Sequence, residues 1–384
     1  MIGAAALFAA DAAPTRTAPD SAYTVTYDTT YYVSNRARSG PQFSRGRSDT
    51  LEYGYVITRF RERVTKAGDS PWLSGFSARQ GEPVRLSRDE FVARVRATDA
   101  RATPGEGGPV VYVHGYAVSF RRAITQGSEI SHRGRFGGAF VVFAWPAHRA
   151  ITTWPTPSAL ISRAYRDDSA SAAASTAAFR AAIGDLMTAV TSGRLTIVGH
   201  SLGAQLAAEA LAEPSALRES LRTAPLRAFA LFAPDIATAH FRDVLDAALI
   251  PVATRRVIYA SQVDRMLMFS RMINGTTRAG QAGRERLLAD ATAEVVDVTS
   301  GRRATGVLLN LVEPRHAMRY AGTALRDFFG VVRGAGGECR ADDGIAERTG
   351  ERSWRLTPAA VPAHDVACVS VAGAESPARQ SPQR

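Results

Sequence analysis

Arg-Leu-Thr-Ile-Val-Gly-His-Ser-Leu-Gly-Ala-Gln-Leu-Ala-Ala-Glu-Ala-Leu, residues 194–211, is the stretch whose reading decides the fold. Leu195 to Val198 is a short apolar run with β-branched residues, the composition of a buried strand. It passes through Gly199-His200-Ser201-Leu202-Gly203 into an alanine- and leucine-rich segment that meets no helix breaker before Pro214. Three fixed positions of the Gly-x-Ser-x-Gly kind arise by chance in roughly one chain in ten of this length, so the pentapeptide alone says little. The strand before it and the helix after it supply the context. A serine at so sharp a corner has strained backbone angles, and side chains at the flanking positions would clash. Ser201 then stands at the positive end of the following helix with its hydroxyl above the sheet.

Working outward, other apolar runs repeat the strand signal. Val110 to Val113 is continuously apolar, the mark of a strand buried on both faces, and leads at once into His114-Gly115-Tyr116. Phe140 to Ala144 is the next such run, ending at Trp145-Pro146. The proline-bearing segment that follows reads as loop, and residues 147–168, with Trp154 and Tyr165, as a cap or pocket wall or as a plain surface loop. Ser169 to Val190 carries Phe179, Ile183, Leu186 and Val190 at helical spacing and is stopped by Ser192-Gly193. Downstream come strands at Leu226 to Phe232, ending in Ala233-Pro234-Asp235, at Arg256 to Ala260, leading to Asp264, and at Val295 to Val298. A last helix, Ala317 to Phe329, places Met318, Ala321, Leu325 and Phe328 on one face and stops at Gly330. Strands alternating with helices predict an α/β fold with a mostly parallel central sheet covered by helices on both faces. Its carboxyl ends then share one edge, where a site belongs.

The flanks differ in texture. Residues 21–104 form a β-rich N-terminal extension packed on the core, with strand-prone Tyr23-Thr-Val-Thr-Tyr, Thr29-Thr-Tyr-Tyr-Val and Leu51 to Ile57, and a helix from the Ser87 cap to about Arg96. Residues 105–330 hold the main domain. Residues 331–384, rich in Gly, Arg, Ser and Pro, read as an irregular C-terminal appendix with a disordered end. Cys339 and Cys368, both in that appendix, are either a disulfide or two thiols. Residues 1–20 resemble the tail of a secretory signal without its basic region, or a disordered leader, and an exported location is favoured over a cytoplasmic one.

Composition narrows the class. The chain has 384 residues, 45% hydrophobic and 22% charged, enough to bury a large core. No apolar run approaches the ~20 residues that span a bilayer, which excludes an integral membrane helix. The net charge of +11 comes almost wholly from arginine, Lys66 being the only lysine. The arginines are scattered among acidic residues, with no zinc spacing or aromatic–basic motif, so nucleic acid is not the expected partner.

The order of residues permits nucleophilic catalysis. A serine hydroxyl needs a base, almost always histidine, and a carboxylate to hold the histidine's tautomer. In this architecture the chain order is serine, acid, histidine. Ser201 is the expected nucleophile, His316 the base and Asp264 the acid; Asp235, also at a strand end, is the alternative acid or a structural cap after Pro234. Two backbone N–H groups must meet the oxyanion. They are expected from Leu202, directly after the serine, and from Tyr116, after the glycine that lets the backbone approach. His114 is expected to be structural.

Tyr31-Tyr-Val-Ser-Asn-Arg36, Val113-His-Gly-Tyr-Ala, Phe143-Ala-Trp-Pro, Tyr165-Arg-Asp-Asp-Ser-Ala, Val198-Gly-His-Ser-Leu-Gly, Ala233-Pro-Asp-Ile and Ser261-Gln-Val-Asp-Arg-Met-Leu together resemble a bacterial family of esterase- or lipase-like α/β-hydrolases. The resemblance spans residues 25–330 and implies the α/β-hydrolase fold, the nucleophile Ser201 and no cofactor. It departs at Leu202, where many members carry methionine. A carboxylesterase acting on a small-molecule ester through an acyl-enzyme is the expected function. The alternatives are an acyltransferase or amidase on the same residues, and a non-catalytic binding module on a hydrolase fold.

Overall fold

Residues that alternate along a strand face opposite sides of the sheet, so a strand buried on both sides must be apolar throughout. In the computed structural model, which describes residues 23–63, 75–103, 105–147, 158–281, 288, 291–301, 316, 318 and 322–357, such strands form the centre of one twelve-stranded sheet. The strands are β1 (Tyr23–Ser39), β2 (Gln42–Arg63), β3 (Phe76–Gln80), β4 (Val84–Leu86), β5 (Val110–Val113), β6 (Phe140–Phe143), β7 (Thr196–His200), β8 (Leu226–Phe232), β9 (Ala253–Ala260), β10 (Glu294–Asp297), β11 (Ala346–Arg348) and β12 (Ser353–Leu356). They lie in the order β11-β12-β10-β9-β8-β7-β5-β6-β1-β2-β3, with β4 beside β2. From β1 to β12 the pairing is parallel, and the antiparallel pairs β1–β2, β2–β3, β2–β4 and β11–β12 are confined to the two edges.

Helices cover both faces, as expected. Val111, Val113, Ile197, Phe229 and Ile258 point into one apolar layer. It is closed by α1 (Arg88–Arg101), α3 (Ser158–Ala173), α4 (Thr176–Ala189) and α5 (Leu202–Ala212), through Phe91, Ala172, Phe179 and Leu206. Their neighbours Val110, Tyr112, Val198, Ala230 and Tyr259 point into the other. That layer is closed by α2 (Phe120–Arg133) and by a helix at Gly322–Arg333, through Ile124, Leu325 and Phe328. The chain visits β6 on one side of β5 and then β7, β8, β9 and β10 on the other, so the strand order reverses between β5 and β7. That reversal opens a crevice at the carboxyl edge.

Several boundaries differ from the sequence reading, each for a local reason. The N-terminal strands do not merely pack on the core; β1 pairs in parallel with β6 and carries the sheet onward. The helix expected over 169–190 is two, α3 and α4, because the chain breaks at Ser175, whose hydroxyl donates to Ser171 O (2.8 Å) and accepts from Asn35 Nδ2 (3.0 Å). α3 also begins at Ser158, within the segment read as loop: the prolines that suggested a loop end at Pro157, and the following residues lack any breaker. The last helix does not stop at Gly330 but runs to Arg333, ending where Gly334 takes a φ of 95°.

The segment expected to be irregular supplies, in its described part, a short helix (Cys339–Asp342), β11 and β12. Its docking is electrostatic as well as apolar. Arg340 donates to both oxygens of Asp327 (2.7 and 3.2 Å), which also accepts from the Tyr259 hydroxyl (2.7 Å). Burial pushes the Glu294 carboxyl up, but the Arg255 and Arg340 guanidiniums outweigh it and hold the group at about 2. Cys339 is disulfide-bonded; Cys368, the only other cysteine, lies outside the described residues, as do the leader and the terminal segment. Trp354 of β12 is buried in the same layer as Phe328. Replacing Trp354 by Ala should therefore lower unfolding free energy by ~3–5 kcal/mol in a denaturant titration. A loss under ~1 kcal/mol would mean that β12 is not part of the cooperative unit.

Candidate active site

β7 ends at His200, Ser201 makes the corner, and α5 starts at Leu202. Ser201 has φ 57° and ψ −122°, a region that non-glycine residues avoid. Two close approaches explain the glycines beside it. A Cβ on Gly199 would sit 2.5 Å from Ala204 Cα, and one on Gly203 would sit 2.2 Å from His114 O. Strand, corner and helix thus press backbone against backbone, and only hydrogen fits between. Ser201 N–H donates to Phe232 O (3.0 Å), tying the corner to β8.

Asp264, at the carboxyl end of β9, and His316 come together across 52 residues: His316 Nδ1 lies 2.7 Å from Asp264 Oδ2, and the Asp264 side chain is fully buried. Since the carboxylate accepts, Nδ1 donates, and Nε2 is left as the basic nitrogen of the neutral ring. The other oxygen of Asp264 caps a helix, Arg265–Asn274, accepting from Met266 N and Leu267 N (both 3.0 Å). The acid is therefore held by the fold before it holds anything itself. His316 also meets His200, the residue before Ser201: His200 Nε2 donates to His316 O (2.7 Å), and the two ring centroids are 4.7 Å apart. Sequence reasoning gave His200 no part, because a turn residue's side-chain direction is not legible from its neighbours.

Asp235, the alternative acid, has other partners. Its Oδ1 accepts from Arg278 Nε and from the Ser270 hydroxyl (2.6 Å each), its Oδ2 from the Tyr165 hydroxyl (2.8 Å), and its carbonyl from Arg278 (2.6 Å). This is a buried tie between the loop after β8 and residues 270–278. Burial first, and the Asp235 charge second, push the Tyr165 hydroxyl up to about 12, so it stays a donor.

The expected oxyanion donors flank the corner. Leu202 is the first residue of α5, so its N–H is among the helix's unpaired first-turn donors. On the other side, a Cβ on Gly115 would sit 2.9 Å from Ser201 Cβ, so the backbone leading to Tyr116 passes directly beside the serine. His114 is fully buried, stacked on Trp145 with centroids 5.0 Å apart, and its carbonyl accepts from the indole N–H (2.7 Å). Burial, followed by the nearby Arg36 charge, holds His114 down at about 3, so the ring is neutral and structural at neutral pH. Arg36 and Asp168, both buried, stand against this same loop, and sequence reasoning assigned neither a role. The only signal was their membership of two of the stretches that carried the family resemblance. Among the described residues no group of three or more His, Cys, Asp or Glu side chains suits a metal ion, and no helix is long and apolar enough to cross a membrane.

Two outcomes follow from this geometry. Asp264→Ala removes a helix cap as well as the histidine's partner and should cost ~1–2 kcal/mol more stability than Asp264→Asn, which still accepts from the two amides. Equal losses in thermal unfolding would contradict the cap. For His114, the unfolded chain takes up a proton near pH 6.5 while the folded one does so only near 3. Its contribution should lower stability by about 1.4 kcal/mol per unit as pH falls through that window, and level off below it. A His114→Asn protein, if folded, should lose that part of the slope.

Comparison with known proteins places the chain. The sequence profile described as alpha/beta hydrolase of unknown function (DUF900) matches residues 103–311, more than half of the chain. No curated protein matches it. Solved structures similar to it include an esterase from Pyrobaculum calidifontis (12% identity, 73% of this chain and 80% of that one, TM-score 0.31). Others are Arabidopsis thaliana SOBER1 (12%, 59% and 97%, TM-score 0.35) and a predicted CIB-like hydrolase from Thermoplasma acidophilum (11%, 72% and 93%, TM-score 0.28). With its doubly wound sheet, its strained serine corner and this match, the chain belongs to the DUF900 family of alpha/beta hydrolases.

Proposed function

We propose that the protein is a serine hydrolase of the carboxylesterase type, cleaving a small-molecule ester through an acyl-enzyme. The observation that carries this reading is the 2.7 Å contact between His316 Nδ1 and the fully buried Asp264 carboxylate, with His316 in turn bonded through its carbonyl to His200, the neighbour of a serine strained at a strand-to-helix corner. A carboxylate in that place fixes the tautomer whose free nitrogen is Nε2. Ser201 Oγ attacks the ester carbonyl as its proton passes to His316 Nε2. The carbonyl oxygen, now an anion, is received by the Tyr116 and Leu202 N–H groups. Collapse of that intermediate breaks the bond to the alcohol, which leaves with the proton from His316. Water then gives a proton to His316 and attacks the acyl carbon on Ser201; as the bond to Ser201 Oγ breaks, His316 returns that proton to Oγ and the acid is released. Asp264 stays ionised throughout and stabilises the imidazolium.

A fluorophosphonate probe should label Ser201 in the folded protein, and Ser201→Ala should abolish labelling. Asp264→Asn should lower kcat on p-nitrophenyl esters by about 10³–10⁴, since the amide favours the wrong histidine tautomer, whereas Asp235→Asn should leave the pH profile of kcat/KM in place. Folded protein that resists the probe and hydrolyses no ester in a graded p-nitrophenyl series would sink the reading.

A further inference from the structure

The loop after β5 enters the left-handed region at Ala117, where φ is 56°, a conformation that alanine does not hold unaided. Two buried charged side chains brace it. Asp168, fully buried on α3, accepts from Ala117 N–H at 2.8 Å. Arg36, buried in β1 where its register with β2 shifts, donates to Val118 O (2.7 Å) and, from its other terminal nitrogen, to Ala147 O (3.3 Å). Burial pulls the Arg36 guanidinium down to about 10, and the Asp168 charge pulls the other way.

The peptide between Gly115 and Tyr116 lies just ahead of this braced pair. Its carbonyl faces the His114 ring, with Nδ1 3.0 Å from Gly115 O. In a trans peptide the N–H points opposite to the carbonyl, so Tyr116 N–H is turned away from His114. Gly115 is pressed against Ser201 on one side, and Ala117 and Val118 are gripped on the other. We propose that Asp168 and Arg36 are positioning residues for the oxyanion donor: by holding Ala117 and Val118 they keep the Tyr116 N–H aimed beside Ser201. The inference rests on the serine-hydrolase reading above and adds to it a reason why β1 and α3, which contribute no reacting atom, matter to the reaction. A donor displaced by about 1 Å costs on the order of 10²-fold in rate, so a loosened loop is felt in turnover before it is felt in binding.

The test uses the full chain with p-nitrophenyl butyrate or, failing turnover, the rate of fluorophosphonate labelling. Asp168→Ala should lower kcat about 10- to 100-fold with KM changed less than about 3-fold. The acid-limb pKa of kcat/KM should stay put, because His316 and Asp264 stand on other elements. Asp168→Asn, whose carboxamide oxygen still accepts from Ala117 N–H, should recover most of the rate. If Asp168→Ala fails to fold because Arg36 is stranded, the paired change Arg36→Met with Asp168→Leu removes both ions and should show the same fall in kcat in a folded protein. A folded single or paired variant within about 3-fold of wild-type kcat overturns the positioning role. So does a loss that falls on KM, or one that shifts the acid limb. Wild-type protein that neither turns over ester nor takes the probe overturns the hydrolase reading, and this inference with it.

Discussion

Ser201 is held in a backbone conformation that the residue would not choose, and everything near it is arranged around that constraint. The corner persists because it is over-determined. β7 is paired on both sides by β5 and β8, and α5 buries Leu202, Ala204, Leu206 and Ala207 beneath it. Relaxing Ser201 would mean pulling one of these elements out of the core. Ala117 and Ala233, two more non-glycine residues with positive φ, border the same edge of the sheet. Strain of this kind costs of order 1–3 kcal/mol per residue and survives only where the surroundings insist on it. Of the four such residues among those described, Arg135 lies after α2 and the other three follow β5, β7 and β8 at the edge where the sheet opens its crevice.

Two aspartates leave neighbouring strands at that edge, and their fates show how the fold divides labour among like residues. Asp235 is neutralised by Arg278 and spent on closing a loop. Asp264 has no arginine in contact among the described residues; its helix cap occupies one oxygen and leaves the other for His316. A buried carboxylate without a fixed cation is costly, and the helix N-terminus together with the imidazole offsets that cost.

The arginine-rich composition acquires a structural meaning from the same viewpoint. Arg278, Arg326 and Arg340 are buried and paired with Asp235, Asp343 and Asp327, and Arg36 is buried and bonded to the carbonyls of Val118 and Ala147. The planar fork of arginine can meet a carboxylate and a carbonyl at once, which a lysine ammonium does with less geometric definition. In this chain part of the positive charge is internal bracing: Arg36 and Arg278 hold loops after β5 and β8, and Arg326 and Arg340 hold the segment after the last helix.

The pattern of the sequence by itself determined the parallel core, because strands buried on both faces read as unbroken apolar runs, and Val110–Val113 and Phe140–Phe143 do. It also determined the serine corner, since the glycines that such a turn requires are local and legible. It singled out Asp264 and His316 as partners by their order, and the structure brings these two side chains into contact. What it misjudged were boundaries set by remote contacts: α3 and α4 part at Ser175 where Asn35 reaches in, and residues 346–348 and 353–356 form strands at the edge that β10 offers. How His200 reaches the His316 carbonyl, and that Arg36 and Asp168 brace the loop at Ala117, were decided by tertiary structure alone. The reason is physical: apolar periodicity is written into each segment, whereas a hydrogen bond between residues a hundred positions apart exists only once the chain has packed.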